Sequence, residues 1–311
     1  PADHQERRYF EQNGYTILKR SDVLGIITSG TFSICVAGTH GKTTTSSLIA
    51  HILRHSGYGC NAFLGGIAVN YNSNFWSSER AVSVAEADEY DRSFLKLSPD
   101  IAVISSMDPD HLDIYGTAEN LQDAFVAFTG KVKPGGYLIY KYGLPRTDEF
   151  RVSNAVSYHV NDPAADVHAE NIRVTEGNYC FDVQLKETRM ESVVLPMGGR
   201  HNIENAVAAV AVANKLGIAD EKIKAALLDF RGVRRRFEYA LKTNQRVLID
   251  DYAHHPEELR ALITGAKNLF PEMKSTVIFQ PHLFSRTRDF AEGFAEVLQQ
   301  TDETILLPIY P

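Results

Sequence analysis

The sequence predicts a protein of class α/β. A P-loop-type, three-layer nucleotide-binding domain carries a small antiparallel meander, and a partial Rossmann-like α/β unit follows it. Three observations predict this. An apolar run, Phe32 to Ala37, enters a glycine-bounded loop that is followed by Lys42-Thr43 and a helical pattern from Ser46 to Leu53. Short β-branched runs then alternate with segments of helical spacing, the pattern of buried parallel strands with crossover helices. The same alternation begins again after Arg236.

The elements follow in order. Ala81 to Ala85 and Ile101 to Ile104 read as buried parallel strands. Leu121 to Val132 repeats apolar residues at helical spacing and stops before Pro134-Gly135-Gly136, and Tyr137 to Tyr140 reads as the next strand. Ile172 to Val174, Tyr179 to Leu185 and Ser192 to Leu195 alternate around Gly177-Asn178 and a charged turn, which predicts the meander. Asn202 to Leu216 and Glu221 to Phe230 read as helices. In the second unit the pattern gives strands at Val247–Ile249, Thr276–Phe279 and Thr304–Leu307, with helices at Pro256–Leu269 and Asp289–Gln299 and a parallel sheet.

Composition narrows the class. With 311 residues, about two domains are expected. A net charge of −7 argues against nucleic acid as the partner. No window approaches the roughly 20 apolar residues of a membrane span, so no membrane partner is expected. The charged start, PADHQERRYFEQNG, is unlike a signal peptide. Three widely spaced cysteines, Cys35, Cys60 and Cys180, fit a reducing cytoplasm better than a disulfide framework.

The chemistry concentrates in loops after strands. Gly38, Thr39, His40, Gly41, Lys42, Thr43 and Thr44 form a strand–loop–helix phosphate cradle. Backbone amides and the positive helix end face phosphates, Lys42 neutralises β/γ charge, and the Thr43 hydroxyl ligates Mg²⁺. Val36 stands where the usual pattern has its first glycine, so the loop is shorter than G-x-x-x-x-G-K-[ST].

Glu86 opens a run of four carboxylates, Glu86, Asp88, Glu89 and Asp91. It reads either as a metal-holding edge or as a solvated acidic loop. His111 sits among acids after the Ile101–Ile104 strand, as a metal ligand, a general base or an ordinary loop histidine. Asn202 and Asn205 share one helix face; they suit a purine edge, while Asn202 also suits simple N-capping. Arg234-Arg235-Arg236 at the junction reads as a γ-phosphate clamp or a solvated basic turn. Asp250-Asp251-Tyr252-Ala253-His254-His255 and Gln280 to Arg288 are polar loops at the ligand edge of the second unit, suited to a small anion such as an amino-acid carboxylate.

The ordered set GTHGKTTT, EADEYDRSFL, DPDHLDIYG, GRHNIENAVAA, GVRRRFE, DDYAHHP and QPHLFSRTRD resembles the Mur ligase family from about residue 30 onward. The resemblance implies an ATP-dependent acid–amino acid ligase working through an acyl phosphate in peptidoglycan precursor synthesis. The last two motifs look most like the branch that joins L-alanine to UDP-N-acetylmuramate. The murein-peptide recycling branch is the alternative, as is a nucleotide-binding module without turnover.

By resemblance, Lys42 and the Gly38–Gly41 amides hold ATP, and Thr43, Glu86 and His111 organise Mg²⁺. Asn202 and Asn205 read adenine, Arg236 clamps the γ-phosphate and Asp251 holds the ribose. His255, His282 and Arg286 form the L-alanine pocket, and His201 faces the muramyl substrate. Several relatives use a carbamylated lysine near the second metal; the helix Ala118 to Thr129 contains none, as expected of the alanine-adding branch. The implied division is 1–29 as the tail of a UDP-binding domain, 30–236 as the ATP-binding domain and 237–311 as a truncated amino-acid-binding domain. A cytoplasmic monomer or weak dimer is expected.

Overall fold

A computed structural model of the chain describes residues 4–310. The chain opens with helices α1 (Gln5–Gln12) and α2 (Arg20–Gly30). It continues through β1 (Phe32–Ala37), α3 (Lys42–His55), β2 (Asn61–Ala68), β3 (Ser73–Trp76), β4 (Val82–Glu86) and β5 (Ile101–Ile104). Helices α4 (Leu112–Tyr115) and α5 (Ala118–Thr129) lead to β6 (Tyr137–Lys141), β7 (Ala155–His159), β8 (Val167–Thr175), β9 (Asn178–Gln184) and β10 (Arg189–Leu195). Helices α6 (Arg200–Lys215) and α7 (Asp220–Asp229) complete this part. The last segment is β11 (Glu238–Lys242), β12 (Val247–Asp250), α8 (Pro256–Leu269), β13 (Thr276–Phe279), α9 (Phe284–Asp289), α10 (Ala291–Leu298) and β14 (Glu303–Leu306).

Ten strands form one sheet in the order β10-β9-β8-β7-β6-β5-β1-β4-β2-β3. Its centre is parallel, and its sides alternate as the pleat requires. Ile34 and Val36 of β1 join one core with Leu48, Ile52, Val207 and Val210, under α3 and α6. Cys35 and Ala37 join the other with Leu24, Phe94, Phe125 and Phe128. Small residues on this second face (Cys35, Ala37, Ala85 and Ala102) leave room for the stacked Phe94 and Phe128 rings, whose centroids are 5.0 Å apart. Burial on both faces explains why the central strands read as continuous apolar runs.

The expected antiparallel meander is β8–β10, and because β7 pairs parallel with β8 it extends the main sheet. Other expectations are corrected. Strands β2, β3, β7 and β11 gave no recognisable signal; Gly65-Gly66 interrupts β2, and β7 is short and mixed in polarity. In the last segment β12 pairs antiparallel with β11, while β13 and β14 pair in parallel. The helix expected over Asp289–Gln299 is α10, which starts after Phe290 (φ −116°, ψ 17°), and the short α9 before it was not expected.

The last segment docks on the first through a close backbone approach. The Phe237 ring lies against Gly198, where any Cβ would overlap it, and Gly265 of α8 faces the Gly199 backbone. Phe237 is buried.

On α3, His51 is fully buried. Its Nε2 lies 2.9 Å from the Ala226 carbonyl and its Nδ1 2.8 Å from the Tyr71 hydroxyl. With Nε2–H donating and Nδ1 accepting, both nitrogens are satisfied in the neutral ring. Burial is the main reason its pKa falls to about 4.

Two outcomes are expected. Gly198→Val should destabilise the chain by about 1–3 kcal/mol through overpacking, read as a lower urea midpoint. For His51, the folded-state pKa lies below the unfolded value. Its contribution is therefore intact above pH 6.5 and lost as the pH falls from there through 4. Melting temperature should fall over that window, and the slope should be shallower in His51→Gln.

Candidate active site

The glycine loop leaves β1 at the point where the sheet's connections diverge. β4 lies on one side of β1 and β5 on the other, so the loops at the carboxyl ends of all three strands meet there. Gly41 makes the turn into α3 with φ 82°, and a Cβ on it would come within 2.7 Å of Asn205 Oδ1. No side chain caps the N-terminus of α3. The first-turn amides, with the positive end of a fourteen-residue helix, are therefore open to an anion.

Two serines after β5 hold the loop's shape. The His40 amide donates to Ser106 Oγ at 2.7 Å, and Ser106 Oγ lies 2.9 Å from Thr39 Oγ1. Ser105 Oγ donates to the His40 carbonyl. Sequence reasoning passed over Ser105 and Ser106; their place directly after a central strand was the available signal.

Lys42 turns back across the loop, donating to the Gly38 carbonyl at 2.7 Å and to Glu89 Oε1 at 2.8 Å. It also lies 2.8 Å from Glu89 Oε2 but off the line of a hydrogen bond, so that oxygen is left without a partner. Glu89 is fully buried, and desolvation raises its pKa against the opposing pull of Lys42. A run of 3-10 turns, Tyr90–Lys96, with Asp91 and Arg92 both at φ 54°, follows Glu89 directly.

Thr43 Oγ1 donates to Glu86 Oε1 at 2.9 Å, and the Gly65 amide donates to Glu86 Oε2, also at 2.9 Å. Thr43 and Glu86, two of the three residues expected to hold a metal, thus meet directly. His111 Nε2 stands 3.8 Å from Glu89 and 3.6 Å from Asp110. Among the described residues, Glu89, Asp110 and His111 form a grouping whose donor atoms all lie within 4.8 Å of one another. Hydroxyl and carboxylate oxygens beside a phosphate loop are the donor chemistry that Mg²⁺ takes.

A cavity of about 360 Å³ joins these parts to the last segment. Thr39, His40, Gly41, Lys42, Thr43, Thr44 and Glu86 line it from one side, and His201, Asn202, Asn205, Arg236 and Asp251 from the other. Asn202 and Asn205 do share a face: Asn205 Nδ2 donates to Asn202 Oδ1 at 3.1 Å. Asn202 does not cap its helix; its Nδ2 donates back to the Gly198 carbonyl at 2.6 Å, and Gly199 holds the cap position. Thr45 Oγ1 donates to Asn205 Oδ1 at 3.1 Å, tying the pair to α3.

Asp251 accepts from the Phe237 and Ala253 amides, each at 2.7 Å, and burial raises its pKa against those bonds. His201 is open to the cavity yet enclosed by protein at longer range, and that desolvation lowers its pKa. Arg236 lies 5.7 Å from the Tyr252 ring.

His255, His282 and Arg286 do not line this cavity. His255 begins α8 with its ring against Phe290, their centroids 4.5 Å apart, and His282 stacks on Tyr310 at 5.4 Å. Arg286 lies on α9, and its carbonyl accepts the Phe290 amide at 3.0 Å. Lys141, Glu204, Glu257 and Glu258 line the cavity and were not anticipated.

This arrangement is that of a ligase family. Residues 36–213 match the Mur ligase middle domain, and residues 235–309 match the Mur ligase, glutamate ligase domain. The chain belongs to the Mur ligase family, whose members use ATP. It is 49% identical over 311 residues to the UDP-N-acetylmuramate–L-alanine ligase of Flavobacterium johnsoniae, covering 100% of this chain and 68% of that one. With the enzyme of the same name from Parabacteroides distasonis the identity is 51% over 313 residues, again covering 100% and 68%. The crystal structure of UDP-N-acetylmuramate-alanine ligase from Thermotoga maritima superposes with a TM-score of 0.84 at 29% identity, covering 100% of this chain and 70% of that one.

Lys42→Ala removes the charge-assisted contact expected at the triphosphate, worth about 1.5–3 kcal/mol. ATP affinity should fall roughly 10- to 150-fold while AMP affinity changes little, as read by calorimetric titration.

Proposed function

We propose that the chain catalyses ATP-dependent joining of L-alanine to the lactyl carboxylate of UDP-N-acetylmuramate, in peptidoglycan precursor synthesis in the cytoplasm. Relatives at 44–51% identity along the whole chain bear the name of that ligase. The observation that carries the reading is the single cavity walled by the glycine loop, Glu86, Arg236 and Asp251. It suits a nucleoside triphosphate beside a second, anionic reactant. We further propose that residues 30–236 bind ATP, that residues 237–311 bind the amino acid, and that residues 1–29 belong to the part that binds the UDP moiety.

The chain's own groups act as follows. Loop amides and the α3 N-terminus bind phosphate oxygens, and Lys42 exchanges Glu89 for the β/γ charge. Arg236 meets the γ-phosphate from the junction. Asn202 and Asn205 form the wall for adenine, and Asp251 takes the ribose. Thr43, Glu86 and His111 would hold Mg²⁺, with Glu89 and Asp110 beside His111; when bound, the ion offsets the charge of the triphosphate.

The substrate carboxylate forms a bond to the γ-phosphorus as the bond to ADP breaks. The alanine amine then attacks the acyl carbon, phosphate leaves, and the amine loses a proton. Lys42 and Arg236 lower the repulsion between carboxylate and triphosphate. His201 faces the muramyl group. His255, His282 and Arg286 take L-alanine, with the Arg286 guanidinium suited to its carboxylate. The protein works as a monomer or weak dimer. No helix among the described residues is long and apolar enough to cross a membrane.

The test is phosphate release dependent on both UDP-N-acetylmuramate and L-alanine. Release with L-alanine and not with a murein tripeptide is the expected result; the reverse would move the chain to the recycling branch.

A further inference from the structure

Glu89 and His111 reach one another from loops that the sheet keeps apart. Glu89 follows β4 and His111 follows β5, and β1 lies between those two strands. The strands are two spacings apart, about 10 Å, so no ladder hydrogen bond runs directly between them. Yet the Glu89 carboxylate stands 3.8 Å from His111 Nε2, and the two group with Asp110. One Glu89 oxygen in that grouping has no hydrogen-bond partner, although the side chain is fully buried. A buried carboxylate oxygen left this way is costly unless a cation takes it.

Among the described residues, one hydrogen bond joins segment 86–96 to segment 107–115. The Tyr115 hydroxyl donates to the Glu89 carbonyl at 2.6 Å. That carbonyl also accepts the Arg92 amide at 2.9 Å, within its own turn. At its backbone Tyr115 is fixed to His111: its amide donates to the His111 carbonyl at 3.0 Å, closing the short helix α4. The Asn120 side chain holds the Tyr115 carbonyl at 2.8 Å. The ring is buried in the same core as Phe94, Phe125 and Phe128, where close packing fixes its torsions. The phenol is thus a stiff strut with His111 at one end and Glu89 at the other. Tyr90 also meets the His111 ring, centroids 5.3 Å apart, but it is half exposed and makes no hydrogen bond across the gap.

We propose that Tyr115 is a positioning residue whose hydroxyl sets the separation of Glu89 and His111, and through it the hold of the site on a divalent ion at the triphosphate. Tyr115 does not line the cavity. It acts through Glu89, which carries Lys42, and through His111. Partners behind a metal-binding side chain fix its orientation and so tune affinity from a distance. Without the hydroxyl, the Glu89 carbonyl keeps the Arg92 amide, so no buried polar group is stranded and the fold loses little. What is lost is the register between the two loops. This rests on the metal-binding part of the function proposed above and deepens it.

The experiment is calorimetric titration of the full chain with ATP, once with Mg²⁺ and once with EDTA, alongside thermal melting. The ratio of the two affinities is the gain that the ion supplies. In Tyr115→Phe, which keeps the ring in the core, that gain should fall about tenfold, with ATP affinity in EDTA and melting little changed. His111→Ala should also reduce the gain, and adding Tyr115→Phe to it should reduce it no further, because both act on one grouping. Independent, additive losses in the double variant would overturn the proposal. A merely structural hydroxyl predicts a lower melting temperature with the gain intact, and that result would overturn it as well. So would equal weakening of ATP in Mg²⁺ and in EDTA, which places the effect at Lys42 and the glycine loop. If the unmodified chain binds ATP equally with and without Mg²⁺, the metal reading falls and the proposal with it, a result told apart by there being no gain to lose.

Discussion

The turn at Gly41 requires a positive φ and no side chain, because Asn205 stands directly behind it. Everything around the cavity is arranged to keep that turn in place. Ser105 and Ser106 hold its outer edge, and Thr45 ties α3 to the asparagine pair of α6. The result is a row of amides at the open end of a buried helix, at the one point where the neighbours of the central strand lie on both sides. Without that fixed concavity, Lys42 and Glu86 would be two charged side chains at strand ends with no common target.

Charge in the cavity is balanced in pairs. Lys42 faces Glu89, Lys141 faces Glu204, and Asp251 is held by two backbone amides. Burying an unpaired charge costs several kcal/mol, so cations waiting for a polyanion need temporary counterions. Glu89 has that position for Lys42: it is fully buried, and desolvation already raises its pKa, so loss of its partner to phosphate brings it toward the neutral form. The loop is thereby kept folded before a ligand arrives.

Much of this was legible in the sequence, for identifiable reasons. β1, β5 and α8 could be placed because they are buried on both faces or strongly amphipathic, and the glycine loop because its residue types have few other uses. What could not be read depends on contacts distant in sequence. β2 is interrupted by Gly65-Gly66, and β11 becomes a strand only by pairing with β12. Ser105 and Ser106 are ordinary polar residues until β5 sets them beside the loop. Glu89 was passed over for the same reason: only the fold sets it beside His111 and Asp110. His255, His282 and Arg286 lie in loops and short helices of the last segment, where spacing alone fixes no common point.

The Gly198 peptide is shared by two structures. Its α-carbon is the seat for the Phe237 ring, which carries the last segment, and its carbonyl receives the Asn202 amide, which orders the cavity wall. A rocking of the last segment about that seat therefore displaces the atom that orients Asn202, and through Asn202 it displaces Asn205 behind the glycine turn. Domain posture and nucleotide grip are in this way two readings of one peptide's position, linked mechanically with no ligand spanning them.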